Sequence, residues 1–256
     1  MKLLHGDCLD LMKDIEDKSI DMILCDLPYG TTSCRWDTVI PFEPLWNEYE
    51  RIIKDNGAIV LFGQEPFSSH LRLSNSKLYR YDWIWEKSNP SNIALANKQP
   101  MRYHEMISVF YKKQPIYNKQ MIKRINRGVA TQQKSGKPFV NRTSDQTALK
   151  EIQVDPNKYD KDWKNPSTVL KFPSLRPTSK EFCKHPTQKP KALLKYLIKT
   201  YTNENEIVLD NCMGSGSTGV ACLETDREFI GIEKDQTYFD IAQQRIANHK
   251  WQSSLF

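Results

Sequence analysis

Asp26-Leu27-Pro28-Tyr29 follows the apolar run Met22 to Cys25 and precedes Gly30. It therefore ends a strand and sets a carboxylate, main-chain carbonyls and an aromatic ring at the carboxyl end, where α/β sheets gather their ligands. Taken alone, the tetrapeptide also fits an ordinary strand-ending turn closed by Pro28 and Gly30.

A second constellation sits near the other end of the chain. Residues 214 to 219 read Gly-Ser-Gly-Ser-Thr-Gly, between the apolar run Ile207 to Leu209 and a helical stretch from about Thr218, and Glu233 closes the next apolar run, Phe229 to Ile232. Glycines there let the backbone approach a ligand, and a carboxylate at the tip of the second strand can accept from ribose hydroxyls. Asp210 stands four residues before Gly214. A carboxylate at that place repels a pyrophosphate and attracts an ammonium, which favours S-adenosylmethionine over a dinucleotide.

Only 37 residues follow Gly219, too few to complete a doubly wound sheet, so the missing strands must come from the N-terminal part and the order along the chain is permuted. The apolar runs Ile20–Cys25, Ala58–Phe62, Trp83–Trp85 and Met106–Tyr111 predict buried parallel strands, with a helix over Pro44–Lys54. After residue 184 the pattern predicts a helix over Lys189–Thr202, the two strands flanking the glycine loop, and a last helix near Tyr238–Asn248. Trp36, Trp83 and Trp85 read as core or pocket wall.

With 256 residues, 39% of them hydrophobic, the chain can bury one sizeable core. No apolar run is long enough for a membrane span, and acids interrupt the first twenty residues where a signal peptide needs an apolar stretch. The six cysteines show no metal-type spacing, so no metal is expected, and they read as reduced thiols of a cytoplasmic protein. Charge is uneven. Residues 113 to 184 hold 16 Lys and Arg against 6 Asp and Glu, a surplus of +10, while the remainder carries −4. Such a concentration is the footprint of a nucleic-acid partner.

Asp26 to Tyr29 resembles the D-P-P-Y motif of amino-methylating DNA methyltransferases, and Val208 to Cys222 resembles their cofactor motif. The resemblance continues through Gly6–Leu9, Asn56–Gly63, His104–Lys112, His185–Pro190 and Phe229–Asp235, covering both outer blocks. The motif order is similar to that of the beta group of adenine-N6 and cytosine-N4 DNA methyltransferases. Leu27 replaces the first proline, and Asn211-Cys212 stands where Pro-Phe is common.

The resemblance implies an α/β, Rossmann-like S-adenosylmethionine-dependent methyltransferase sheet with permuted motif order. Residues 1–112 would form the catalytic half, 113–184 an inserted target-recognition region, and 185–256 the cofactor-binding half. It implies catalysis by Asp26, Leu27, Pro28 and Tyr29 on the N6 of a flipped-out adenine in double-stranded DNA at a specific site. Cytosine N4 methylation, or a non-catalytic DNA-binding subunit, is the alternative. For the cofactor, it implies Asp7 on the adenine, Glu233 on the ribose, Asp210 with Gly214 and Gly216 on the methionine part, and Lys189 on the carboxylate. Cys8, Cys212 and Ser215 complete that set. Arg124, Asn126, Arg127, Gln132, Gln133, Asn141 and Arg142 are the side chains suited to reading bases. A homodimer and a cognate restriction endonuclease stay open.

Overall fold

The computed structural model describes residues 1–31, 37–124, 162–179, 181–183 and 187–253, with side chains to residue 249. Trp36, His185, Pro186 and all the base-reading candidates except Arg124 lie outside these residues. The chain divides into two compact units. One is Met1–Asn118 with Ser167–Phe256, and the other is Lys119–Pro166.

The larger unit is built on an eight-stranded sheet. Its strands are β1 (Lys2–His5), β2 (Ile20–Cys25), β3 (Ile53–Gly63), β4 (Tyr79–Glu86), β5 (His104–Phe110), β8 (Val169–Lys171), β9 (Ile207–Asp210) and β10 (Glu228–Glu233). They lie in the order β1-β10-β9-β2-β3-β5-β4-β8. The first five are parallel; β5 runs antiparallel to both β3 and β4, and β8 is parallel to β4. The smaller unit contains β6 (Ile122–Lys123) paired antiparallel with β7 (Trp163–Lys164).

The C-terminal strands thus complete a sheet begun by the N-terminal ones, through Met22↔Val208 and Ile23↔Leu209. The expectation that Met106–Tyr111 is a parallel strand is corrected: β5 is reversed. Residues 87–103 join β4 to β5 with only a short 3-10 turn, Ile93–Leu95, and no crossover helix, so the chain returns beside itself antiparallel. Within residues 113–184, Leu170 of β8 is buried beside β4, and Trp85 Nε1 donates to the Phe172 carbonyl at 2.8 Å. Strand β1 and helix α3 (Phe67–Ser74) carried no clear sequence signal, being only four and eight residues long.

Helices cover both sheet faces, which is why the central strands are apolar almost throughout. On β2, Met22 and Leu24 join a cluster with Leu193, Leu197, Ala221 and Ala242, from α4 (Lys191–Tyr201), α5 (Ser217–Leu223) and α6 (Gln236–Ser253). Ile23 and Cys25 point the other way, to Cys8, Tyr49 and Leu71 from α1 (Cys8–Leu11), α2 (Phe42–Ile52) and α3. Leu45, Trp46, Tyr49 and Ile52 form the buried stripe of α2. Among the described residues, no helix is long and apolar enough to cross a membrane.

Candidate active site

The carboxyl ends of β1, β10, β9 and β2 lie on one edge of the sheet and open on a cavity of about 1080 Å³. Twelve of the thirteen residues singled out in the sequence line it: Asp7, Cys8, Asp26, Leu27, Pro28, Tyr29, Lys189, Asp210, Cys212, Gly214, Ser215 and Glu233. Gly216 does not. It caps α5 in the left-handed conformation, at φ 76°, and a Cβ there would stand 2.9 Å from the Cβ of Ala242. Its requirement is close packing of the turn on α6, which only a residue without a side chain permits.

Asp26 follows β2 directly, and the turn beyond it is held by Asp37, whose oxygens accept from the Gly30 and Thr31 N–H groups at 2.9 Å each. Tyr29 donates its hydroxyl to Asp26 Oδ1 at 2.6 Å, and its ring leans on Phe67 at 5.0 Å. The Leu27 side chain is buried in the core, while the residue still borders the cavity. Lys189, expected at a cofactor carboxylate, donates to Asp26 Oδ2.

Two residues that the sequence reading passed over complete this cluster. Glu105 Oε2 lies 3.6 Å from the Lys189 ammonium, and Lys87 donates to Glu105 Oε1 at 2.9 Å. Lys87 follows β4 and Glu105 is the second residue of β5, where Trp85 pairs with Glu105 across the ladder. A charged residue at the end of an apolar strand, as in Trp85-Glu86-Lys87 and Glu105-Met106-Ile107, is the one signal that could have marked them.

Burial pushes the Asp26 carboxyl up, and the Lys189 charge only partly offsets it. Burial also opposes the charge on Lys189, yet Asp26 and Glu105 hold its ammonium above the ordinary range. Glu105 is raised by burial but drawn down further by Lys189 and Lys87, so its net shift is downward. Two cations and two carboxylates therefore share one low-dielectric site without excess charge.

On the other side of the cavity, carboxylates organise the glycine loop. Asp210 accepts from the Thr218 hydroxyl at 2.6 Å and the Cys212 N–H at 3.2 Å, and burial raises its carboxyl to about 7. Glu233 accepts from the N–H groups of Gly214 and Asp235, at 2.8 Å each. Asp7 caps α1 through the Leu9 N–H and pairs with Lys234 at 3.0 Å. The Cys212 thiol interacts with the thiols of both Cys8 and Cys25, and burial holds Cys25 up at about 12.

The chain matches the DNA methylase family over residues 20–244. It is 28% identical to the DNA adenine methyltransferase YhdJ of Escherichia coli, over 96% of this chain and 83% of that one. It is also 28% identical to the type II methyltransferase M.HinfI of Haemophilus influenzae, over 97% of this chain and 68% of the relative. The crystal structure of an M1.HpyAVI–SAM complex aligns with a TM-score of 0.61 at 25% identity, covering 96% of this chain and 98% of the other. A match that spans both the strand leading into Asp26 and the glycine loop, across a permuted sheet, places the chain in the DNA methylase family.

Proposed function

We propose that the protein transfers a methyl group from S-adenosylmethionine to the N6 amino group of an adenine flipped out of double-stranded DNA, at a specific sequence. The observation that carries this reading is that Asp26–Tyr29 and the Asp7, Asp210 and Glu233 carboxylates open on one cavity. The cavity fits the cofactor: acidic side chains suit its amines and ribose hydroxyls, and Gly214 sits in the turn at φ 49° with no side chain in the way. S-adenosylmethionine supplies an activated methyl group on a sulfonium. Asp7 would hold the adenine end, Glu233 the ribose, and Asp210 with the Gly214 and Ser215 backbone the methionine end.

The protein's own task is to make a poor nucleophile act. Adenine N6 shares its lone pair with the ring. In this reading, Asp26 and the Leu27 carbonyl each accept an N–H from the amino group, drawing nitrogen toward a tetrahedral shape and aiming its lone pair. Pro28 fixes the turn, Tyr29 stacks on the base, and Lys189 offsets part of the burial cost of the Asp26 charge in place of binding the cofactor carboxylate. Fixed acceptors and positioning then provide the acceleration. Flipping the base out of the duplex costs a few kcal/mol, to be repaid by these contacts.

Sequencing DNA from cells that express the protein, by a method reporting modified bases, tests the reading. N6-methyladenine at one sequence, absent with Asp26→Ala, is the expected result. Methylcytosine at N4, or no modification, overturns it. A second copy of the chain, or a nuclease sharing the site, belongs to the same proposal only as far as that sequence is palindromic or cleaved in the same cells.

A further inference from the structure

The Asp26 carboxylate is engaged on both oxygens before any base arrives. Oδ1 accepts from Tyr29 and Oδ2 from the Lys189 ammonium. An incoming amino group must therefore compete with a buried cation, whose side chain is 9% exposed. Displacing such a cation without giving it a new partner is costly, because a desolvated ammonium has no water to fall back on.

A partner stands ready beside it. Glu105 Oε2 is buried and accepts no hydrogen bond among the described residues, although Lys189 Nζ is only 3.6 Å away. Lys87 holds the other oxygen, Oε1, at 2.9 Å, and so fixes the carboxylate with Oε2 toward Lys189. The Lys189 ammonium also lies 5.1 Å from the centre of the Phe62 ring, a face that attracts a cation without binding it to one carboxylate. A lysine stem is flexible enough to swing between two acceptors this close.

Resting on the reading of Asp26 as the acceptor of the target amino group, we propose that Glu105 is a positioning residue. It receives the Lys189 ammonium as the amino group takes its place on Asp26 Oδ2. The exchange moves a cation from one carboxylate to another within a set of two lysines and two acids, so no net charge is buried or released. Tyr29, Lys189 and Glu105 face Asp26, with Asp210 and Cys25 behind it. Of these, Lys189 alone is a cation paired with Asp26 and within reach of a second acceptor.

The test compares binding of two duplexes carrying the mapped site, one with adenine at the target position and one with purine, which lacks the amino group. Wild type should bind the adenine duplex more tightly, by about fivefold or more, through Asp26. In Glu105→Gln the ammonium stays on Asp26, so this preference should fall toward one, while cofactor affinity stays within about threefold. A merely structural role would weaken both duplexes alike and leave their ratio unchanged. Removal of the competing cation in Glu105→Gln/Lys189→Met should restore the preference. If Glu105→Gln does not fold, Glu105→Asp, with its shorter reach, should show an intermediate ratio; a wild-type ratio in either variant overturns the proposal. A wild-type protein that fails to distinguish the two duplexes sinks the reading of Asp26 itself.

Discussion

The Lys189 ammonium is paired with the Asp26 carboxylate across 163 positions of sequence. One residue precedes α4 and the other follows β2, on opposite sides of the residues expected to read DNA. Helix α4 packs on β2 and α5, so the pair is fixed by the core beneath it. Two segments far apart in sequence thus meet at one carboxylate, and the electrostatics of that carboxylate belong to both.

Replacing Asp26 with alanine should slow methyl transfer by a hundredfold or more, on the order of losing one preorganised transition-state contact. Cofactor affinity should stay within a few-fold, because the cofactor's proposed partners are Asp7, Asp210 and Glu233. The variant also leaves Lys189 with Glu105 as its one nearby acid among the described residues. A stability loss of about 1–3 kcal/mol is expected, below that of a fully buried pair because the Asp26 side chain keeps 22% of its exposure. Thermal unfolding together with single-turnover rates checks both parts; near-normal turnover removes Asp26 from the mechanism.

Asp210 gives a pH dependence whose sign follows from burial. Its folded carboxyl sits at about 7 against an ordinary 3.8, so the folded protein without cofactor binds a proton that the unfolded chain releases. The group costs nothing below pH 3.8, and its penalty grows until pH passes about 7. A cationic ligand nearby favours the charged form. Cofactor affinity should therefore rise with pH up to about 7, at most tenfold per unit, with a proton released on binding. Asp26 is also raised and lies close, and Thr218, Cys212 and Cys25 face the same carboxylate, so Asp210→Asn is the necessary comparison. Calorimetry in buffers of different ionisation enthalpy should show that proton in wild type and lose it in the variant.

The positions of these carboxylates were readable in advance because each closes a short apolar run, and the carboxyl ends of parallel strands share one edge. Asp26, Asp210 and Glu233 obey that rule. Glu105 escaped it, since it lies at the start of an antiparallel strand, one residue in, and reaches the site through its pairing with β4. Periodicity shows that Trp83–Trp85 and Met106–Tyr111 are strands but contains no information on their direction. Gly216 illustrates the opposite error. The glycine pattern marks it together with Gly214, yet its constraint is the approach of Ala242, a residue 26 positions later whose packing no local motif announces.

Gly216→Ala should accordingly act on stability. The left-handed backbone costs an alanine about 1–2 kcal/mol, and the 2.9 Å approach to Ala242 adds to that. Each kcal/mol lowers the midpoint by about 2–4 °C in a chain of this size. Calorimetric scanning should show a drop of several degrees, partly recovered by Ala242→Gly. An unchanged midpoint would mean that α6 gives way freely.

The smaller unit, Lys119–Pro166, carries 11 Lys and Arg against 5 Asp and Glu. Its two chain ends run side by side: Ile122 pairs with Lys164, Lys123 with Trp163, and Lys119 bonds Asn165 at 3.3 Å. That stem allows the unit to be replaced by a short linker without cutting β8 from the main sheet. If its cations neutralise phosphates, DNA affinity falls with salt at a log–log slope of about −0.9 per phosphate contacted. The shortened protein should show a much shallower slope and lose sequence selectivity. Its cofactor affinity should survive, because the cofactor's proposed partners, Asp7, Asp210 and Glu233, all belong to the larger unit. A filter-binding titration from low to high salt, with and without the unit, measures the slope directly. Equal slopes, together with methylation at the same sequence, would place DNA recognition on the larger unit instead.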